Sequence, residues 1–364
     1  MMTSGKHIAA GISQAERPGR TGRFFRLFLL VLLWPTMMVL FTACGTSASA
    51  KITVTGEALG TFYTITLIAP PDRMDEVAVK RLAEDVLDEV NRLMSTYRDD
   101  SELSRFNRHA EATPFPVTEA TFTVFQMAQV ISEQSGGAFD VTVGPLVNAW
   151  GFGSDTFEEP PEDREIASLL ERVGYQKITL QPDGSIRKAR PDIYCDLSAI
   201  AKGYAVDAVA ERLESVGISR YMVEVGGEIR VAGLSVTGKA WQLGIEEPVY
   251  EGRKLHAIVQ MGAGALATSG NYRNMYEVDG KLFAHTIDPH SGYPTRHQVA
   301  SASVIHESCA MADGYATALM ALGKDKALAL AQKENLAVML IVAGEESGIF
   351  ETVATDGFTR YLQD

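Results

Sequence analysis

Asp196 to Leu213, DLSAIAKGYAVDAVAERL, is the stretch around which the rest of the chain is organised. A short polar turn runs into an amphipathic helix. Ile200, Tyr204, Ala208 and Leu213 fall near one stripe, and Asp207, Glu211 and Arg212 fall off it. Asp196 and Ser198 stand at the turn, where a side-chain oxygen can cap free amides. Lys202 lies one turn in, close to the positive end of the helix dipole, where a cation gains nothing from the helix. A nearby anion would explain it, and free amides beside a lysine make a phosphate cradle. A capped surface helix with a solvated lysine is the ordinary alternative, and these residues alone favour it.

The periodicities on either side set the fold class. Ile52 to Ala69 reads as a hairpin around Gly56 to Gly60, stopped by Pro70-Pro71. Met74 to Met94 repeats Val77, Leu82, Val86, Val90 and Met94 at helical spacing. Ser95 to Asn107 is a polar loop and a short helix. Val117 to Ser135 is a second long helix, stopped by Gly136-Gly137. Gly151 to Asp163 is a loop rich in glycine, proline and acids, and Glu165 to Val173 is a helix. Gln176 to Leu180 and Ser185 to Lys188 suggest a hairpin about Asp183-Gly184. Ile193 to Leu197 reads as a strand. Tyr221 to Val231 reads as a strand interrupted by Gly226-Gly227, a bulge or a close ligand approach. Trp241 to Glu246, Ala257 to Met261, Ala265 to Thr268, Lys281 to Ile287 and Val299 to Val304 are further strands. Ser308 to Gly323 and Lys326 to Glu334 are helices; Leu336 to Val342 and Phe358 to Arg360 finish the sheet. Long helices among antiparallel-looking strands specify an α+β fold, with a mixed, largely antiparallel sheet and packed helices in one domain.

The 364 residues are 46% hydrophobic and 22% charged, an ordinary globular composition with ample core. The net charge of -13 argues against nucleic acid and against electrostatic binding to anionic membranes. An acidic chain that handles phosphates would need a metal ion. Lys6, Arg17, Arg20, Arg23 and Arg26 precede the apolar run Leu27 to Thr42 and Ala43-Cys44, the pattern of a secretory signal. Pro35 disfavours a spanning helix. Leu40 to Cys44 resembles a bacterial lipobox. We therefore expect a lipoprotein signal over 1–43, lipidated Cys44 with a flexible tether over 44–51, and a catalytic domain over 52–364; a plain signal or an uncleaved anchor are the alternatives. Cys195 and Cys309 then remain as two buried thiols.

Four constellations could carry chemistry. On the late helix Asp313 and Thr317 are four residues apart on one face. A carboxylate and a hydroxyl among the small residues Ala310, Ala312, Ala316 and Ala318 would suit Mg²⁺. The alternatives are an aspartate capping the first turn and a threonine bonded to its own helix. His285 could act as a base or ligand, while His290 belongs to the exposed turn of Asp288-Pro289 and Ser291-Gly292. Gly136, Gly137 and Gly144 would let backbone approach a flat ligand, with Asp140 accepting hydrogen bonds from a heterocycle. Ser269-Gly270-Asn271 is a turn that could touch the same site. No Walker loop, GxSxG elbow, HExxH, CxxC pair or GxGxxG after a strand is found.

The motifs taken in order, Leu59-Gly60-Thr61, the run Ser95 to Asn107, Phe139 to Leu146, Asp196 to Ala205, Gly226-Gly227-Glu228, His285 to Pro289 and Ala312 to Ala318, resemble those of the FAD:protein FMN transferases, the ApbE family. The resemblance implies Mg²⁺-dependent transfer of FMN from FAD to a threonine or serine hydroxyl of a target protein through a phosphoester, releasing AMP. It implies FAD contacts from Leu59, Tyr97, Ala138, Phe139, Asp140, Asp196, Lys202 and Ile287. Leu59 stands where the family usually has methionine. It implies Mg²⁺ held by the Ala199 carbonyl, Asp313 and Thr317. His285 would be the base, with Asp288 the alternative. Implied partners are subunits of membrane redox pumps, with the protein anchored by lipid on the periplasmic side of a bacterial membrane. The inner membrane is the assignment, although Gly45 is compatible with either. A pyrophosphatase giving FMN and AMP, or a non-catalytic FAD-binding lipoprotein, are the rival readings.

Overall fold

The computed structural model describes residues 50–111, 113–153, 159–249, 252–271, 275–278, 281–344 and 349–363. The expected signal over 1–43, Cys44 and nearly all of the expected tether lie outside the described residues, as do 154–158 of the acidic loop and 272–274. No helix among the described residues is long and apolar enough to cross a membrane.

The chain opens with strands β1 (Lys51–Ala58) and β2 (Thr61–Ile68), then helices α1 (Glu76–Met94) and α2 (Glu102–Arg108). The two-residue turn at Leu59 and Gly60 has φ of 53° and 73°, the left-handed pair that a tight hairpin requires. Gly56 therefore lies within β1 rather than in the turn, and the Tyr63 ring covers it. Short β3 (Phe115–Pro116) leads to α3 (Glu119–Gln134), capped by Thr118. Next come α4 (Gly144–Ala149), α5 (Asp163–Leu170) and the hairpin β4 (Ile178–Leu180) and β5 (Ser185–Lys188). The organising helix is α6 (Ser198–Ser215). Strands β6 (Tyr221–Val225), β7 (Glu228–Ala232), β8 (Trp241–Glu246), β9 (Leu255–Met261), β10 (Ala263–Gly270), β11 (Met275–Val278), β12 (Lys281–Ala284) and β13 (Val299–His306) follow. The chain closes with α7 (Cys309–Leu322), α8 (Lys324–Lys333), β14 (Ala337–Ala343), β15 (Phe350–Ala354) and α9 (Asp356–Thr359).

Eight strands form the main sheet in the order β1-β2-β6-β7-β10-β13-β14-β15, and every paired neighbour within it is antiparallel. The α+β class expected from the sequence is the one observed. Strand β14 shows how the sheet divides two cores, because successive side chains point to opposite faces. Val338, Leu340 and Val342 join the helical core, while Ala337, Met339 and Ile341 join a second core with Trp241, Leu243 and Phe358. The strand side of the helical core is small where α7 lies on it, at Ala265, Ala267 and Ala302. Ala310, Ala312, Ala316 and Ala318 of α7 are fully buried in the helical core, so their smallness serves packing.

Several elements differ from the sequence reading. Val77 of α1 is exposed, and the buried stripe is Val79, Ala83, Leu87, Val90 and Met94. The apolar band of α1 is wide, and the spacing from Val77 traced its solvent edge. Ile193 to Leu197 belongs to no strand. The Asn107 side chain stands in for one, donating Nδ2–H to Cys195 O and accepting from Cys195 N, both at 2.8 Å. Gly226 and Gly227, with φ of 66° and 106°, form the turn of the β6–β7 hairpin rather than a bulge. Phe358 fills the second core from α9, and the last strand of the sheet is β15. Asp207 is buried. Its Oδ2 accepts from Ser308 Oγ at 2.8 Å and Ala310 N at 3.0 Å, its Oδ1 accepts from Arg230 at 2.8 Å, and it thereby caps α7. Cys195 and Cys309 are buried free thiols, as expected.

Candidate active site

Helices α6 and α7 cross in direct backbone contact at Gly203. A β-carbon there would lie 2.4 Å from Cys309 O and 2.8 Å from Ala310 Cα. This approach brings Asp313 to the start of α6, where Gly203 N–H donates to Asp313 Oδ2 at 3.0 Å. Asp313 therefore does not cap its own helix, because Ser308 does. Lys202 Nζ lies 3.6 Å from Asp313 Oδ1 and 3.1 Å from Glu228 Oε1. The anion that the position of Lys202 called for is thus supplied by the protein itself. Asp313, Thr317 and Ala321 follow one another along one face of α7 and line a cavity of about 320 Å³. Thr317 Oγ1 is 3.2 Å from Ser269 Oγ, so Ser269 does reach the site, although Ser269 and Gly270 lie in strand β10 rather than in the expected turn.

The same cavity is lined by Tyr97, Ala138, Phe139, Asp140, Asp196, Ala199, Lys202, His285 and Ile287. These nine and the Asp313–Thr317 pair come from α6, α7 and four loops far apart in sequence. Tyr97 stands at the rim, 71% exposed. Phe139 and Ile287 are buried walls. Asp196 Oδ1 takes the Ser198 amide at 2.8 Å, the turn cap expected from its position. The Asp140 carboxylate is engaged within the protein: Oδ1 accepts from Thr142 N and Oγ1, and Oδ2 accepts from Tyr175 N at 2.7 Å. His285 lines the cavity with its ring 6.3 Å from that of Phe152. The neighbouring Thr286 hydroxyl donates to Asn271 Oδ1 at 2.7 Å, which ties the histidine segment to the end of β10.

Two predicted residues do not line this cavity. Leu59 sits in the hairpin turn and packs at the edge of the helical core. Asp288 lies in an adjoining hollow of about 450 Å³ with Tyr293, Thr295, Arg296 and His297. Its Oδ1 accepts the amide of His290 at 3.0 Å and faces His290 Nδ1 at 3.2 Å. Burial opposes ionisation there, but these donors hold the carboxyl below its usual range. It is a turn-forming carboxylate. His290 is exposed, as expected, with Nε2 3.0 Å from Gly136 O.

Glu228 is the residue that sequence reasoning passed over, although the Gly226-Gly227-Glu228 run had been singled out. It begins β7, is 3% exposed, and its Oε2 has no hydrogen-bond partner. Burial pushes its carboxyl up to about 8, against the pull of Lys202. Burial likewise raises Asp313, with Lys202 opposing. For Lys202 burial pulls down, and Asp313 and Glu228 together hold the ammonium above its ordinary value. Two carboxylates share one cation; with both ionised one negative charge is in excess in a poorly solvated place, which is why they hold protons above the usual range.

That charge bears on a divalent ion. Among the described residues no three His, Cys, Asp or Glu side chains are gathered to hold a metal. An oxygen set of one carboxylate, one hydroxyl and a backbone carbonyl nevertheless fits Mg²⁺, which binds through one or two carboxylates and keeps positions for water and phosphate. Asp313, Thr317 and Ala199 supply that set within one cavity, and the unmatched Glu228 oxygen marks a deficit of positive charge beside it.

The ApbE family model matches residues 59–340. The chain is similar to the FAD:protein FMN transferase of Vibrio cholerae, with 40% identity over 326 residues, 89% of this chain and 96% of the relative. It is equally similar to the protein of that name from Haemophilus influenzae, 40% identical over 338 residues, 90% of this chain and 96% of the relative. The solved structure of the flavin transferase ApbE from Vibrio cholerae superposes with a TM-score of 0.80 at 40% identity, covering 86% of this chain and 100% of that one. The ApbE protein of Thermotoga maritima superposes at 0.77 with 25% identity, over the same shares. Sequence and fold agree over most of the length, and the chain belongs to the ApbE family of transferases.

Proposed function

We propose that this protein transfers FMN from FAD to a threonine or serine hydroxyl of an acceptor protein, with Mg²⁺ and with release of AMP. The observation that carries this reading is the single cavity in which Lys202, Asp313, Thr317, Asp196 and His285 converge. Its relatives' name gives the flavin and the acceptor class. The cavity is at the small end of ligand sites, which span about 300–1,000 Å³. Phosphoryl-type transfer asks chiefly for positioning and charge neutralisation, which suits a site of this composition.

In this reaction the acceptor oxygen bonds to the phosphorus that carries riboflavin. The bond from that phosphorus to the bridging oxygen breaks, and AMP leaves with that oxygen. The hydroxyl proton passes to His285, the cavity's candidate base. Lys202 brings positive charge to the diphosphate, and the rim aromatic Tyr97 offers a face to the flavin. Asp313, Thr317 and the Ala199 carbonyl would hold Mg²⁺, which when bound supplies further neutralisation of the diphosphate oxygens.

The remaining parts of the reading rest on the sequence. The signal pattern and Cys44 support a lipid anchor on the periplasmic side, with the inner membrane assigned, and flavin-carrying subunits of membrane redox pumps as acceptors. The test is mass spectrometry of such a subunit after incubation with FAD and Mg²⁺. A phosphoester-linked FMN on a threonine or serine, matched by AMP, is expected. Asp313→Ala should lower the rate more than about a hundredfold, the upper figure for disturbing even an outer partner of a metal ligand. AMP without acceptor labelling would make the protein a hydrolase, and FAD retained without AMP would make it a flavin-binding lipoprotein.

A further inference from the structure

Lys202 is bracketed by two carboxylates, and they are not equivalent. Asp313 lines the cavity, while Glu228, at the start of β7, is not among the residues that line it. The nearer of the two to Nζ is Glu228, at 3.1 Å against 3.6 Å. Glu228 Oε1 receives the ammonium, and Oε2 is buried with no hydrogen-bond partner. The turn before it is shaped around this group. A β-carbon at Gly226 would lie 3.3 Å from Glu228 Oε2 and 2.9 Å from the Thr61 methyl. A buried, half-unsatisfied carboxylate is costly to keep, so its retention calls for a function.

We propose that Glu228 is a positioning residue that holds Lys202 back from Asp313, keeping the Asp313 carboxylate available to a divalent cation. This rests on the metal reading of the proposed function. With Asp313 as its sole partner, Lys202 would neutralise it one to one, and an arriving cation would meet an ammonium already paired with its ligand. With Glu228 present, the ammonium has a second, nearer carboxylate of its own. With both carboxylates ionised the three groups sum to one negative charge, and an arriving cation completes the balance. Gly203 N–H meanwhile fixes Asp313 Oδ2, so it is Oδ1 whose pairing is in play. Glu228 thus acts on the cation through Lys202, without touching it.

The experiment is a titration of Mn²⁺, the spin-active stand-in for Mg²⁺, into the full chain without FAD, with the free ion read by electron paramagnetic resonance. Glu228→Gln keeps the shape and removes the charge. Its Mn²⁺ affinity should fall about tenfold or more, the range for outer partners of metal ligands. In a Lys202→Met background the same substitution should cost nothing further, because the residue through which it acts is gone. Glu228→Asp, one methylene shorter, should also weaken binding if the glutamine variant does not fold. Wild-type affinity in folded Glu228→Gln, or an undiminished effect in Lys202→Met, overturns the inference alone. No Mn²⁺ binding by the wild-type chain overturns the metal reading and this inference with it.

Discussion

Gly203→Ala tests whether the crossing of α6 and α7 assembles the site. The added methyl would lie 2.4 Å from Cys309 O, 2.7 Å from Cys309 C and 2.8 Å from Ala310 Cα. Nonbonded carbon contacts settle at roughly 3.5 Å, so the overlap is about 1 Å. All three atoms are backbone within α7, so no side-chain rotation relieves it. Overpacking of this kind costs about 3 kcal/mol, the upper part of its usual range. For a domain of this size that is about 6 °C in melting temperature, at roughly 2 °C per kcal/mol. The functional loss should exceed the stability loss. Gly203 N–H holds Asp313, and Lys202 is its neighbour, so the helices separate at the chemistry itself. A displacement near 1 Å can cost about a hundredfold in rate. Thermal unfolding and the rate of FMN transfer to an acceptor, both on purified variant, are the assays. A variant that melts within about 1 °C of wild type and transfers at its rate would refute the close-crossing account.

Two further outcomes follow from buried polar groups. Asp207→Ala strips the Ala310 amide and the Ser308 hydroxyl of their acceptor at the start of α7 and leaves Arg230 with Glu214 at 3.4 Å and Glu211 at 4.0 Å, so unfolding in urea should lose about 3 kcal/mol, and an unchanged midpoint would remove Asp207 from the fold's support. Burial lowers both His297 and His306 below the ordinary histidine value, for His297 against its bond to Met320 O, and each accepts a backbone amide on Nδ1, which only a neutral ring nitrogen can do. The unfolded chain takes up protons at about pH 6.5 before the folded chain does, so this stability is complete above that pH and is lost as pH falls through the lower folded values. Melting temperature of wild type minus that of His297→Gln/His306→Gln should therefore shrink between pH 7 and 5; the subtraction removes the raised carboxylates, whose effect has the opposite sign, and a constant difference would refute the assignment.

Much of the site was legible because its residues sit at element boundaries that sequence marks well. Asp196 and Ser198 announce a turn, Gly136-Gly137 a helix stop, and Asp313 with Thr317 a shared face. Their convergence was not readable from spacing, since Gly203 and Asp313 are 110 residues apart. What misled were residues whose partners are side chains. The Ile193 to Leu197 run has strand composition, yet Asn107 satisfies it from a helix, and no pattern announces such a partner. Asp207 looked like a solvated charge because its three donors lie on α7 and β7. Glu228 had a signal in the two glycines before it, but a turn and a bulge look alike until the register of β6 and β7 is known.

The bond from Gly203 to Asp313 also bears on how the protein acquires its activity. It joins positions 110 residues apart, so the pocket cannot preassemble on any local fragment. Loop-closure entropy delays such pairings until most of the chain has condensed. A nascent chain that ends before α7 holds Lys202 and Glu228 but not their third partner. Any molecule that binds at this seam fastens the first half of the chain to the second. Occupancy should then protect the main sheet as a whole from opening, not merely the loops beside it.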